Sequence, residues 1–256
     1  MDKKESLLQR LDEIGQSLAQ SDGALALLGL GSVGQDLARL DEYSDLDFFV
    51  IVNPGHKTRF IAELNWLSRI HPIAYAFQNT VDGYKLLFAD GVFCEFAVFE
   101  PDELARIPFT SGRLVWQAAE FDAALLERPS AAPVERSIEF LVGEAVTNLY
   151  VGLGRYHRGE KLSAARFIQG YAVDRVAELA AWVEPAQHGF DDPFDGVRRF
   201  EQRFVETAVY LPQFIPGYDH SPAAAQAILK FLGQHFTINP VMKQAILTLI
   251  EKPGTD

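Results

Sequence analysis

Residues 45–52 read Asp-Leu-Asp-Phe-Phe-Val-Ile-Val, and this stretch constrains the chain more than any other. Its apolar part is β-branched and aromatic, the composition of a buried strand. Strand alternation gives Asp45, Asp47, Phe49 and Ile51 one face and Leu46, Phe48, Val50 and Val52 the other. One face is therefore apolar throughout, while the other opens on two carboxylates. Like charges that close repel, and each raises the pKa of its neighbour. A divalent cation removes that cost, and magnesium takes hard oxygen ligands while keeping room for water and phosphate oxygens. A solvated turn is the plainer reading of two acids at a strand entrance, so the rest of the chain has to decide.

A third acid bears on it. In "GVFCEFAVF" (residues 91–99) alternation puts Phe93, Glu95, Ala97 and Phe99 on one face and Val92, Cys94, Phe96 and Val98 on the other. Glu95 is flanked by aromatics inside an apolar strand, where an ionised carboxylate needs a partner, water or a proton. If its strand lies beside that of Asp45 and Asp47, the three acids are able to hold two metal ions. Upstream, "GALALLGL" (Gly23–Leu30) reads as a buried strand that runs directly into Gly31 and Ser32. Glycine lets an anion approach the backbone, and a serine hydroxyl with nearby N–H groups can bind phosphate oxygens.

The combination is an apolar strand, Gly31-Ser32, a spacer (residues 33–44), Asp45-Leu46-Asp47 and a later strand acid. It resembles the signature of the nucleotidyltransferase superfamily, whose fold is shared with DNA polymerase beta. "EYSDLDF" and "DGVFCEFAVFEPDEL" are similar to the small antibiotic nucleotidyltransferases, the lincosamide and aminoglycoside enzymes especially. The likeness covers about the first hundred residues. It implies transfer of a nucleoside monophosphate from a nucleoside triphosphate to a hydroxyl of a small molecule, with release of pyrophosphate. It also implies two Mg2+ ions anchored by Asp45 and Asp47. Glu95 would bind the ion nearer the acceptor or take the acceptor's proton. Gly31 and Ser32 would seat the β- and γ-phosphates. The segment after Ser32 departs from the family pattern, because Arg39 is its only cation and the one residue left to assist them. Protein- or nucleotide-directed transfer, and a nucleotide-binding module without turnover, share the same residues and stay open.

The chain has 256 residues, enough for two domains with real cores. Apolar residues at helical spacing predict helices over Lys4–Ala19 and Lys57–Ile70. Strands are expected at Ile73–Asn79, Gly83–Asp90 and Val92–Glu100, the last pair as a hairpin. Past residue 127 strand signals are scarce. Helical patterns follow at about Val134–His157, Ser163–Val183, Phe194–Tyr210, Ser221–Gln234 and Val241–Glu251. The expected fold class is α+β: a small mixed sheet with flanking helices over residues 1–128, followed by an all-helical bundle over 129–256. The first part would be the catalytic domain and the second the substrate-binding domain.

The formal net charge is −12, a balance opposite to that of proteins that hold long nucleic acid. Cys94 is the only cysteine, which rules out an internal disulfide and suits a reducing cytoplasm. The six histidines lack zinc-site spacing. The N-terminus carries acids throughout and has no signal-peptide core, and no apolar run approaches a membrane span. The expected partners are a nucleoside triphosphate and a small-molecule acceptor, without long nucleic acid or membrane; a homodimer is compatible with this picture.

Overall fold

The structure, a computed structural model, describes residues 2–35, 37–107, 112–126, 136–188 and 196–253. The chain divides into two compact units, Met1–Ala132 and Pro133–Asp256.

Unit 1 begins with α1 (Lys3–Ala19), whose start is fixed by a capping box between Asp2 and Glu5. Its apolar stripe, Leu7, Leu11, Ile14 and Leu18, is fully buried. The strands are β1 (Ala24–Gly29), β2 (Leu46–Val52), β3 (Ile73–Gln78), β4 (Gly83–Phe88), β5 (Phe93–Phe99) and β6 (Arg113–Gln117). Among the described residues they form one sheet in the order β3-β4-β5-β2-β1-β6. The β2–β5 pair is parallel and the other pairs are antiparallel. The unit is thus α+β with a mixed sheet.

The parallel pair sits centrally, and its alternation divides the core. Leu46, Phe48, Val50, Val52, Cys94, Phe96 and Val98 join the stripe of α1 in the larger cluster. Ile51, Phe99 and Leu28 form a second cluster with Leu104 and Phe121, against which Phe49 and Ala97 pack. Among the described residues, the apolar cover of that second face lies toward the C-terminal ends of β2 and β5, and the acids at the other end stay half-buried.

The expected helix Lys57–Ile70 is two short helices, α2 (Lys57–Ala62) and α3 (Asn65–Ser68). Glu63 turns extended between them, at φ −122° and ψ 102°. The break lets Trp66 enter the core at 1% exposure, its indole N–H donating to the Phe60 carbonyl oxygen at 3.1 Å. A continuous helix would have kept that carbonyl for its own ladder.

Unit 2 is all-helical among its described residues. It contains α4 (Ile138–His157), α5 (Lys161–Ala165), a π-helical turn at Arg166–Tyr171, and α6 (Ala172–Leu179), which a 3-10 turn extends over Ala180–Trp182. There follow α7 (Phe200–Arg203), α8 (Val205–Ala208), α9 (Leu211–Phe214), α10 (Ser221–His235) and α11 (Pro240–Glu251). Ser137 caps α4, accepting from the Phe140 N–H, and Asn239 caps α11. One core of α4, α6 and α10 side chains, including Leu149, Val176 and Ile228, holds the unit together. The expected helix Phe194–Tyr210 is broken at Phe204, which leaves helical geometry at φ −128° and ψ 70° and buries its ring; its first residues lie outside the described ones, as do Val134 and Glu135 of the expected Val134–His157. The break is held by Glu184, a buried carboxylate that accepts from the N–H groups of Glu206 and Thr207 at 3.0 and 2.6 Å. No helix among the described residues is long and apolar enough to cross a membrane.

Candidate active site

The register of the parallel pair sets Asp47 directly beside Glu95. Residues paired across neighbouring strands share a face, so these carboxylates belong to the second face of the sheet. Asp45 stands just ahead of β2, and alternation assigns it to the same side. All three residues are half-buried.

The turn after β1 closes on this row. The Leu30 N–H donates to the Asp47 carbonyl oxygen at 2.8 Å, which ties the end of β1 to the mouth of β2. Gly31–Val33 then forms one 3-10 turn, with the Val33 and Gly34 N–H groups donating back to Leu30 and Gly31. The N–H groups of Gly31 and Ser32 begin the turn and are outside its own ladder. Gly31 has φ +51°, and a Cβ built on it would lie 2.9 Å from Asp47 Oδ2. Glycine is required there twice over: for the left-handed backbone and for the carboxylate packed against it. Arg39 ends a further 3-10 turn, Leu37–Arg39, and is half-buried.

Glu95 is already engaged. Lys85 Nζ lies 3.2 Å from Glu95 Oε2, and Asn79 Nδ2 donates to Oε1 at 3.2 Å. Lys85 is in register with Glu95 across the β4–β5 hairpin, and Phe77 is in register with Lys85. One row therefore crosses four strands on one face: Phe77, Lys85, Glu95, Asp47. Tyr75 and Phe77 leave more than half of their surface exposed at its edge.

Sequence reasoning missed Lys85 and Asn79; the signal was the "ADGV" turn, which fixes the hairpin register. It also missed Arg113, which opens β6 opposite Gly29 and donates through Nε to the Val33 carbonyl oxygen at 3.1 Å. That puts a cation against the Gly31–Val33 turn; the signal was the short run Leu114-Val115-Trp116.

The electrostatics of the acids reach through the sheet. Burial pushes the Cys94 thiol up; Arg10 opposes this, while the charges of Asp45, Asp47 and Asp90 add to it. Cys94 is buried on the far face, so it stays protonated and inert.

As a test for divalent cations, the donor set is hard oxygen and suits magnesium in kind, and the backbone puts the donors on one face. The side chains are not gathered: among the described residues no three His, Cys, Asp or Glu form a metal-holding group. Glu95 turns its two oxygens to Lys85 and Asn79. The fit is thus one of residue type and face.

No protein-family model matches the chain, and no curated protein does. Among solved structures it is similar to an aminoglycoside 6-adenyltransferase from Bacillus subtilis, at 12% identity and TM-score 0.38, covering 95% of this chain and 97% of that one. It is also similar to a spectinomycin adenyltransferase from Enterococcus faecialis with ATP and spectinomycin, at 13% identity and TM-score 0.33, covering 94% and 97%. At those scores neither likeness bears on function; the residues of the site do.

Proposed function

We propose that unit 1 transfers a nucleoside monophosphate from a nucleoside triphosphate to a hydroxyl of a small-molecule acceptor of the aminoglycoside or lincosamide kind, releasing pyrophosphate. The observation that carries this reading is the register of Asp47 beside Glu95, with Gly31 packed against the Asp47 carboxylate. Asp45, Asp47 and Glu95 are the residues that would hold paired Mg2+ ions. When bound, such ions stabilise the entering and leaving oxygens of an in-line displacement together.

The chain's own residues do the rest. Gly31 and Ser32 present N–H groups and a hydroxyl to the β- and γ-phosphates, and Arg39 and Arg113 add positive charge beside that turn. The acceptor oxygen attacks the α-phosphorus, the bond to the β-phosphate oxygen breaks, and the acceptor's proton must leave. Glu95 takes that proton or helps to hold the cations, in either case after parting from Lys85. Positioning and charge stabilisation supply the acceleration, with no covalent intermediate.

The Lys85–Glu95 ion pair is the one observation that favours a second reading: a nucleotide-binding module of the same fold without turnover. One experiment separates the two. Pyrophosphate release from ATP and GTP is measured with magnesium and a panel of aminoglycosides and lincosamides, for the wild type and for Asp45→Asn and Asp47→Asn. Acceptor-dependent release that both variants lose, with unchanged thermal melting, is expected. Nucleotide binding without release favours the module, and wild-type release in either variant removes the assignment.

A further inference from the structure

Unit 2 contains a cavity of about 460 Å³ with no part in the reading above. Its size falls in the range of small-molecule pockets, roughly 300–1,000 Å³. Arg136, Arg175 and Arg203 line it, against the carboxylates of Asp174 and Glu178. The charges are unequally shared. Glu178 serves two guanidinium groups: Arg136 Nη1 at 2.9 and 3.0 Å, and Arg175 Nη2 at 2.8 Å. Arg203 has no ion pair among the described residues; its Nη1 donates to the Gly196 carbonyl oxygen at 3.3 Å, and its guanidinium lies 5.0 Å from the Phe204 ring centroid.

Two of these groups are also short of acceptors. The Nε atoms of Arg175 and Arg203 are buried without a hydrogen-bond partner. Buried donors in folded proteins are nearly always satisfied, so both guanidinium groups are left under-compensated by the protein. A ligand in the cavity would meet them through their Nη groups. The apolar part of the lining is aromatic and aliphatic. Trp182 also lines the cavity yet stays 51% exposed, and Val197 and Phe204 line it too. An exposed indole at a cavity wall offers a flat stacking surface.

We propose that this cavity binds a small organic anion with a flat apolar body, of the aromatic carboxylate class. Its oxygens meet Arg203, Arg136 and Arg175, and its ring lies on Trp182. Arg203 and Trp182 determine its specificity.

The test uses the full-length protein and 2-naphthoate as probe, with binding followed by titration calorimetry. Naphthalene-2-methylammonium, with the same ring and the opposite charge, is one control, and inorganic phosphate, which has no ring, is the other. Single-site saturation by 2-naphthoate is expected, with neither control matching it. Arg203→Gln should weaken binding tenfold or more, and Trp182→Ala severalfold; Asp47→Asn, in unit 1, should leave it unchanged. The proposal is overturned if 2-naphthoate does not saturate, if the ammonium or phosphate binds as well, or if Arg203→Gln binds like wild type. Should Arg203→Gln melt early, Trp182→Ala decides, because the half-exposed indole lies outside the buried core of the unit; unchanged binding in that variant overturns the proposal equally.

Discussion

Gly31→Ala isolates what the carboxylate row contributes, because the structure gives this substitution two separate penalties. The first is backbone strain. Alanine at φ +51° enters the left-handed region, at a cost of about 1–2 kcal/mol. The second is a contact: the new methyl would stand 2.9 Å from Asp47 Oδ2. That oxygen is the end of a side chain, so the clash is relieved by swinging the carboxylate away by about half an ångström toward ordinary contact distance. The swing costs little stability. It does move a group on which the proposed reaction would depend, and misplacement by about 1 Å costs on the order of a hundredfold in rate, so a loss on the order of tenfold is expected here. Gly91→Ala is the matched control in the same unit: φ is +85° and nothing lies within 4 Å of the new Cβ. Both variants should lose about 1–2 kcal/mol in denaturant unfolding. Only Gly31→Ala should lose pyrophosphate release, and the loss should lie in kcat rather than in the KM for the acceptor. Wild-type kcat in Gly31→Ala, with the same stability loss as the control, refutes the role given to Asp47. A much larger stability loss than the control refutes the claim that the carboxylate can yield.

Two further substitutions test the charges. Lys85→Met removes the cation that, on the proposed function, would compete with magnesium for Glu95; the pair is nearly half exposed, so it contributes only about 0.2–1 kcal/mol. The magnesium concentration for half-maximal activity should therefore fall by up to about fivefold, and an unchanged or raised value counts against Glu95 as a ligand. Arg10→Met removes the 2.6 Å contact of its Nη2 with Asp90 Oδ2. Burial of Asp90 alone would raise its pKa; the Arg10 hydrogen bond, the Val92 amide and the charges of Arg10 and His71 outweigh that and hold it below its usual value. A depressed carboxylate stabilises the fold above its unfolded pKa of about 3.9 and loses that contribution as pH falls through the folded value. The variant should be about 1–2 kcal/mol less stable at pH 7, with the gap narrowing below pH ~4; a gap constant from pH 7 to pH 3 in urea unfolding would falsify the linkage.

The parts of the fold legible in the sequence are those where one local pattern decides. β2 runs from Leu46 to Val52 as its alternation requires, and α1 begins one residue before its apolar stripe predicts. The pattern fails where a tertiary contact outweighs periodicity. Lys57–Ile70 has a helical stripe throughout, yet burying Trp66 breaks it at Glu63. Phe204 and the buried Glu184 break the later helix in the same way. β6 escaped notice for another reason: it is an edge strand of five residues, none of them fully buried, and it borrows its conformation from β1.

The same division runs through the candidate site. Alternation alone assigns each acid a face within its own strand, and it says nothing about which strands are neighbours. The neighbour relation comes from the parallel pairing of β2 with β5, a long-range contact across more than forty residues. Once that pairing exists, the hairpin turn at Asp90-Gly91 forces Lys85 opposite Glu95, because a shift by one residue would turn Leu86 and Phe88 out of the core. The ion pair is thus imposed by the same register that brings Glu95 beside Asp47. Lys85 therefore offsets part of the repulsion between Glu95 and Asp47, and on the proposed function a dication would have to displace it.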